Sequence, residues 1–361
     1  MYKRLLSSII MLILLLQLSA CSGNTNESTR SQNMVKRNTS NTDGLNKALP
    51  EDCSMDSSIL KDMDKHIVKD MSQITSIMVL RKGSIVFEKY YRGNEQSLRD
   101  LKSATKSVLS SLIGIAIRER FISGVDQKVI HFFPQYSNSI IDQNVNKITV
   151  KNLLTMTSGI PYSYSVQGYD QWRAGENLIG DAFENMLISE PGQVFNYNDP
   201  GVHMLSGIIT KSTNMRAELF AKKYLFGALG IEHYTWDTDN QGNNIGCSEL
   251  KLRTMDMAKF GQLYLNKGKW KENQIIPRSW VEESTSKQNE GGAPSEENYG
   301  YLWWVTQVEG HSSFFAMGYG GQFIYVIPDL EIVTVITSTL EAHHEENRDL
   351  ISKFIIPAVL D

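Results

Sequence analysis

An apolar run from Ser107 to Ile117, which reads S-V-L-S-S-L-I-G-I-A-I, is the feature that most constrains how this chain folds. The run is apolar nearly all round, so a helix formed by it has to lie inside the protein. Directly before it stands Ser103-Ala104-Thr105-Lys106, and a serine and a lysine three residues apart share one face of a helix. We therefore expect a buried helix that carries a serine beside a lysine at its N-terminal end.

This serine and lysine have the chemistry of a nucleophile and its base. The field at a helix N-terminus favours negative charge on the Ser103 oxygen, and a neighbouring amine can take the hydroxyl proton. A lysine at the mouth of a buried helix is partly desolvated, which lowers its pKa towards the range of a general base. The pattern predicts Ser103 as nucleophile and Lys106 as base.

The spacing alone is not specific, because the chain holds four serine–lysine pairs of the form S-x-x-K. The pairs are Ser58/Lys61, Ser103/Lys106, Ser248/Lys251 and Ser284/Lys287. Three of them have the surroundings of a solvated surface, without a long apolar helix behind them. Only Ser103 precedes such a run, so its context selects it.

The N-terminal segment has the pattern of an export signal. Lys3 and Arg4 precede an apolar stretch, which ends at Leu18-Ser19-Ala20-Cys21. The stretch is shorter than the roughly 20 residues that cross a bilayer, which favours a cleaved leader. The end resembles a bacterial lipobox, and that resemblance implies that Cys21 is lipidated. We predict a lipoprotein signal peptide over residues 1–20 and an exported protein, lipid-anchored at the extracytoplasmic face of a bacterial membrane.

Composition divides the rest of the chain into two parts. Residues 21–53 are polar and rich in Ser, Asn and Thr, which predicts a flexible tether. Residues 54–361 have the length of one large domain.

The formal net charge is −4 and no basic block stands out, which argues against nucleic-acid binding. No clustered Cys/His pattern has metal-ligand spacing, so we expect no metal and no cofactor. Whether Cys53 and Cys247 form a disulfide stays open, because spacing cannot establish it.

Strand patterns lie at both ends of this domain, with helical patterns between them. Two β-rich runs within Ser76–Arg92 flank Lys82-Gly83, and the runs Gln322–Ile327 and Ile332–Thr337 form a second predicted hairpin. Helices are predicted at 107–117, 150–156, 202–209, 214–226, 254–266 and 344–356. Residues 161–172 are predicted as a loop over a pocket. The fold class is therefore α/β (α+β), with one antiparallel sheet built from both termini, flanking helices and an inserted all-α lobe.

Two further segments carry candidate chemistry. The phenol of Tyr197 can move a proton if a nearby lysine charge lowers its pKa. The stretch Gly318-Tyr319-Gly320-Gly321-Gln322 leads into a strand, and its glycines let the backbone approach a ligand closely. A backbone N–H there can stabilise an oxyanion.

The three segments together resemble the serine β-lactamase and penicillin-binding-protein superfamily, in its class C-like branch, over roughly residues 60–360. The S-x-x-K element falls on Ser103 and Lys106, and the Y-x-N element on Tyr197, with Asp199 in place of Asn. The third element, usually Lys-Thr-Gly or His-Thr-Gly, falls on Gly318-Tyr319-Gly320 and is similar to that of 6-aminohexanoate-dimer hydrolases and related esterases.

The resemblance implies a role for each of these residues. Ser103 is the acylated nucleophile, Lys106 the base and Tyr197 the group that handles the leaving-group proton. The oxyanion hole is formed by the Ser103 N–H and by backbone at Tyr319 and Gly320. Asp199 stands where an amide contacts substrate. A carboxylate cannot donate hydrogen bonds as an amide can, so contact with substrate and an ion pair with Lys106 both stay open.

The sequence therefore predicts a membrane-tethered serine hydrolase that cleaves small amides or esters through a Ser103 acyl-enzyme. The alternatives are a cell-wall D-Ala peptidase, a β-lactamase, and a non-catalytic penicillin-binding or sensor protein. Gly318 and Tyr319 replace the lysine and threonine that hold the carboxylate of β-lactams in the family. We therefore expect uncharged esters or amides to be better substrates than β-lactams.

Overall fold

The computed structural model describes residues 44–360, which form a nine-stranded sheet with helices packed around it. The strands are β1 Asn46–Lys47, β2 Ile74–Arg81, β3 Ser84–Tyr90, β4 Leu98–Asp100, β5 Tyr234–Trp236, β6 Leu250–Arg253, β7 Lys269–Trp270, β8 Asn273–Gln274, β9 Asn289–Gly292, β10 Glu297–Tyr299, β11 Trp304–Val308, β12 His311–Gly318, β13 Gln322–Ile327 and β14 Ile332–Ser338. The predicted signal peptide, Cys21 and most of the predicted tether lie outside these residues.

Both ends of the chain build the main sheet, as predicted. Its strand order is β1-β3-β2-β14-β13-β12-β11-β10-β9. The N-terminal hairpin joins the C-terminal one through β2 and β14, where Ile77 faces Ile336. Eight strands are antiparallel, but β1 runs parallel to β3, so the sheet is mixed at one edge. Both predicted hairpins are confirmed.

The domain boundary predicted at residue 54 is too late. β1 pairs with β3 from Asn46, and both Leu45 and Cys53 are buried. The last part of the predicted tether therefore belongs to the folded body, because its few apolar residues have a sheet edge to pack on. Cys53 and Cys247 are both buried free thiols.

Helices cover the sheet and fill the segment between β3 and β9. They are α1 Ser57–Asp70, α2 Thr105–Arg118, α3 Val150–Leu154, α4 Val166–Arg173, α5 Asp199–Thr213, α6 Ala217–Ala221, α7 Gly227–Leu229, α8 Thr254–Leu265, α9 Arg278–Ser284 and α10 His344–Leu350. π-helical turns at Lys222–Phe226 and Ile351–Ile355 extend α6 and α10. Among residues 44–360, no helix combines the length and the apolar character that a membrane crossing requires.

The inserted segment differs from its prediction in two ways. It is not all-α, because β4, β5 and β6 form a small sheet and β7 pairs with β8. The predicted loop over 161–172 contains helix α4, which Ser165 caps by accepting a hydrogen bond from the Gly168 N–H. This short polar stretch has little apolar periodicity, so its hydrophobic pattern does not predict a helix. The capping residue Ser165 is the local sequence feature that favours one.

Helix α2 is buried along nearly its whole length, as its apolar run predicts. All residues from Thr105 to Ala116 are buried, and α2 packs against α5, α6 and α9. Gly114 lets Trp280 of α9 lie directly on the helix, since a methyl group at Gly114 would lie 2.4 Å from Trp280 Cγ. The long buried helix thereby holds its N-terminal residues in a fixed place.

We predict that Gly114→Ala destabilises the protein. On the exposed face of a helix, replacing glycine by alanine stabilises the protein by about 1 kcal/mol. Here the added methyl group overpacks the contact with Trp280, and overpacking typically destabilises a protein by about 1–3 kcal/mol. Urea unfolding of the purified protein measures the net change. In a Trp280→Leu background the loss should shrink, as a double-mutant cycle would record. A Gly114→Ala protein as stable as the wild type would contradict this account of the packing.

Candidate active site

Ser103 lies where a tight turn leads into α2. Lys102–Ala104 form a 3-10 turn, and Thr105 begins the α-helix. Lys102 has a left-handed backbone (φ 48°), and its N–H donates to Asp100 Oδ1 at 2.9 Å. This turn sets the Ser103 hydroxyl, which is half-buried, at the N-terminal end of the buried helix.

Lys106 is buried and surrounded by oxygen atoms. Its Nζ donates to Ser103 Oγ at 2.8 Å and to the Cys247 carbonyl oxygen at 3.0 Å. Asp199 Oδ1 lies 2.7 Å from the same nitrogen. The side chain of Lys106 is 2% exposed and that of Asp199 is 6% exposed, so solvent hardly screens this ion pair.

The pKa of Lys106 differs from the sequence prediction. Burial is the largest single influence and lowers this pKa, as expected, but the Asp199 carboxylate, Tyr197 and Cys247 together outweigh it. The pKa of Lys106 is therefore raised above its ordinary value, and the prediction of a lowered pKa is wrong. The resting lysine is an ammonium.

Tyr197 lies beside the same ammonium. Lys106 Nζ is 4.8 Å from the centroid of the Tyr197 ring, a distance at which a cation and an aromatic face attract each other. The ring stacks on Trp304 and meets Tyr164 edge-on. Burial raises the pKa of the Tyr197 phenol, and the charge of Lys106 opposes that rise without cancelling it. Lys106 thus acts in the direction that the sequence analysis required of a nearby lysine, but burial prevails and the phenol is a proton donor at rest.

Asp199 is the first residue of α5, directly after the cap formed by Asn198, which accepts from the Gly201 N–H at 2.7 Å. Its Oδ2 accepts a hydrogen bond from the Tyr162 hydroxyl at 2.6 Å. Within residues 44–360, no donor meets Oδ1 in hydrogen-bond geometry, so its contact with Lys106 is an ion pair. Of the two roles left open for Asp199, the ion pair with Lys106 is present.

The glycine-rich segment that begins at Gly318 lies beside the turn that carries Ser103. A methyl group at Gly318 would lie 2.1 Å from the Leu101 carbonyl oxygen and 3.0 Å from Lys102 Cβ, so only glycine lets β12 end so close. Tyr319 is 51% exposed and lines a cavity at the site. Gly320 has a left-handed backbone (φ 78°) and packs against Thr339. Gly320 does not line that cavity, so its role is to allow the left-handed backbone of the turn between β12 and β13.

A cavity of about 300 Å³ opens above Ser103. Its lining comprises Lys102, Ser103, Tyr162, Tyr164, Ser165, Val166, Tyr169, Asp170, Asp199, Ser248, Glu249, Tyr319 and Leu340. The predicted pocket-lining role of residues 161–172 is thus confirmed, although part of the segment is helical. The Tyr169 hydroxyl contacts Ser248 Oγ at 2.7 Å and donates to Glu249 Oε1 at 2.8 Å.

Sequence reasoning missed Lys102, Ser248 and Glu249. Ser248 belongs to an S-x-x-K pair whose surroundings indicate a solvated surface, yet it is buried at this cavity. Lys102 directly precedes Ser103, and this adjacency was the available signal. Its ammonium is already paired with Asp100 Oδ2 at 2.9 Å. The other charged residues of the lining, Asp170, Asp199 and Glu249, are acidic.

Comparison with known proteins places the chain in a family. The sequence model of the family described as Beta-lactamase matches residues 63–353. The chain belongs to the beta-lactamase family. The 6-aminohexanoate-dimer hydrolase of Paenarthrobacter ureafaciens is 24% identical over 290 residues, 73% of this chain and 72% of that protein. The chain is thus a serine hydrolase of the β-lactamase and penicillin-binding-protein superfamily.

Solved structures share the fold of this beta-lactamase family member. The octameric penicillin-binding protein homologue from Pyrococcus abyssi superposes with a TM-score of 0.68 at 19% identity, over 82% of this chain and 77% of that one. The penicillin binding protein from Bacillus halodurans gives a TM-score of 0.62 at 14% identity, over 82% and 97%. The predicted fold class is confirmed.

We predict that Ser103→Ala abolishes covalent labelling by a fluorophosphonate probe, because the atom that would be modified is removed. Ser58→Ala and Ser284→Ala remove the serines of two other S-x-x-K pairs and should leave labelling at the wild-type level. Mass spectrometry of the labelled peptide identifies the modified residue. Undiminished labelling of the Ser103→Ala protein would end the assignment of Ser103 as nucleophile.

Proposed function

We propose that this protein hydrolyses small amides or esters through an acyl-enzyme on Ser103. The observation that carries the proposal is the 2.8 Å contact between Lys106 Nζ and Ser103 Oγ at the floor of a tyrosine-lined cavity. A nucleophile held against a proton-transfer group is the arrangement that covalent catalysis requires. The name of the 24% identical relative, 6-aminohexanoate-dimer hydrolase, supports an amide as one substrate class.

The proposed reaction has two halves. Ser103 Oγ attacks the carbonyl carbon as its hydroxyl proton passes to the base Lys106, and backbone N–H groups of Ser103 and Tyr319 stabilise the oxyanion. The bond to the leaving group breaks as that group takes a proton from the neutral Tyr197 phenol, which Lys106 then reprotonates. Water then attacks the acyl-enzyme, releases the acid and restores the Ser103 hydroxyl.

The charges of the cavity support a preference for uncharged substrates. Three acidic residues line it, and the ammonium of Lys102 is already paired with Asp100. Gly318 offers no side chain where relatives with a Lys-Thr-Gly element hold a substrate carboxylate. An anionic substrate therefore meets repulsion from Asp170 and Glu249, and Lys102 has to leave its partner to bind it.

We predict that a short-chain p-nitrophenyl ester is hydrolysed with a much higher kcat/KM than nitrocefin. The loss of one charge-assisted hydrogen bond costs about 1.5–3 kcal/mol, or roughly one to two powers of ten in binding. Both substrates should be measured on one preparation, with an unactivated amide beside them because nitrophenyl esters are intrinsically reactive. Nitrocefin turnover tenfold or more above the ester would favour a β-lactamase. Stable labelling without turnover of any substrate would favour a non-catalytic penicillin-binding or sensor protein.

We also propose that the hydrolase is tethered to a bacterial membrane through lipidated Cys21. The support is the sequence Leu18-Ser19-Ala20-Cys21 after an apolar leader. A lipid chain gains about 0.8 kcal/mol per buried CH₂ group, and stable anchoring needs more than one chain or a second signal.

We predict that Cys21→Ser abolishes the incorporation of a fatty-acid analogue when the full chain is expressed in a bacterial host. The wild-type chain should be labelled and should sediment with membranes. Ser22→Ala is a matched control, which changes the next residue and keeps the thiol. Absence of label on the wild-type chain would reduce the segment to an ordinary export signal.

A further inference from the structure

The ammonium of Lys106 has no free position for the proton of Ser103. Three oxygen atoms surround Nζ within 3.0 Å, namely Ser103 Oγ, the Cys247 carbonyl oxygen and Asp199 Oδ1. A lysine ammonium has three protons and no lone pair. It can donate to Ser103 Oγ, as it does here, but it cannot accept from it. Lys106 therefore has to release one proton before it can act as a base.

Asp199 is the group that can receive this proton. Its Oδ1 lies 2.7 Å from Nζ, and apart from Lys106 no donor of the described residues contacts it. Its Oδ2 is occupied, because the Tyr162 hydroxyl donates to it at 2.6 Å. The other neighbours of Nζ are the Cys247 carbonyl and the neutral Tyr197 phenol, and both are far weaker bases than a carboxylate. Both side chains are buried, where a neutral pair avoids the desolvation cost of two charges.

We propose that Asp199 takes a proton from Lys106 in the same step in which Lys106 takes the proton of Ser103. One N–H bond of Lys106 breaks and an O–H bond forms at Asp199 Oδ1. As the amine turns about its Cε–Nζ bond, the freed lone pair comes to face Ser103 and accepts its proton while Oγ bonds to the substrate carbonyl carbon. Asp199 is then a catalytic residue, and its carboxylate replaces the substrate-binding amide of the family's Y-x-N element. This proposal rests on the proposed acyl-enzyme at Ser103.

The proton count closes over acylation. After the attack, Lys106 is again an ammonium, Asp199 is a neutral acid and the substrate oxygen carries the negative charge. The leaving group then takes one proton, delivered from Lys106 by way of Tyr197. Asp199 returns its proton to Lys106 Nζ, which restores the starting ion pair. The relay needs no group that the site lacks.

Among the described titratable groups that face Asp199, only Lys106 carries a positive charge. The others are Tyr162 and Tyr164 of the cavity wall, Tyr197 before α5, Cys247 before β6 and Tyr299 of β10. Burial raises the pKa of each of these phenols and of the thiol, so all of them stay neutral near neutral pH. A change in the pH profile on substitution of Asp199 therefore reports on the Lys106–Asp199 pair.

The test is the pH dependence of the rate of fluorophosphonate labelling in the wild type and in Asp199→Asn. In the relay, the reactive state is the intact ion pair of Lys106 and Asp199. Asparagine cannot accept a proton, so the variant reacts only when Lys106 is a neutral amine. We expect the acid limb of the profile to move to higher pH by about one unit or more, with labelling at pH 6 at least tenfold slower.

The sign of this shift separates the relay from a lone lysine base. If Lys106 acted alone, Asp199 would only raise its pKa. Removing the carboxylate would then move the acid limb to lower pH and speed labelling at pH 6. A shift in that direction, or an unchanged profile, would overturn the proposal. Failure of the wild type to be labelled at Ser103 would instead contradict the proposed function.

Two controls keep the test informative. Asp181→Asn removes a carboxylate of the inserted segment that does not line the active-site cavity, and it should keep the wild-type profile. Because Asp199→Asn risks poor folding, a proton inventory of wild-type labelling in H₂O–D₂O mixtures is the second measurement. Two protons in flight give a curved plot, whereas a linear plot, which indicates one proton, would overturn the relay.

Discussion

The site depends on the burial of one ammonium group, that of Lys106. Removing an ion from water costs several kcal/mol, and only close, opposite charge and hydrogen bonds offset that cost. Three parts of the chain supply them: Ser103 on the turn before α2, Asp199 at the start of α5, and the carbonyl of Cys247. The position of each part is therefore coupled to the others, and a shift of any one leaves a buried charge unpaired.

A second buried contact holds two of these parts together. His203 of α5 lies one turn after Asp199, and its Nε2 is 3.0 Å from Asp239 Oδ2. Its Nδ1 accepts from the Gly246 N–H at 3.3 Å, which fixes the tautomer with the proton on Nε2. The segment that ends at Cys247 is thus attached to the helix that begins at Asp199. The carbonyl and the carboxylate around Lys106 are held by one connected framework.

The sequence was most informative where the structure is local. The apolar run after Ser103 predicted a buried helix, and all of Thr105–Ala116 is buried. Lys82-Gly83 between two β-rich runs predicted a hairpin, and the structure contains it. This prediction was possible because the backbone geometry of a short turn depends on few neighbouring residues. The sequence predictions were wrong where contacts between residues far apart in the chain determine the structure. The start of the domain was placed at residue 54, yet Asn46 pairs with Ser84 of a strand far along the chain.

For the site, the sequence by itself determined which residues carry the chemistry. Ser103, Lys106, Tyr197 and Asp199 could be named because residue type and short spacing are properties of the chain. Only the tertiary structure decided the protonation states of Lys106 and Tyr197, because a pKa depends on burial and on charges brought close in space. Asp199 stands far from Lys106 in sequence but 2.7 Å away in the fold. That proximity helps to raise the pKa of Lys106, which the sequence predicted to be lowered, and no periodicity or spacing along the chain encodes it.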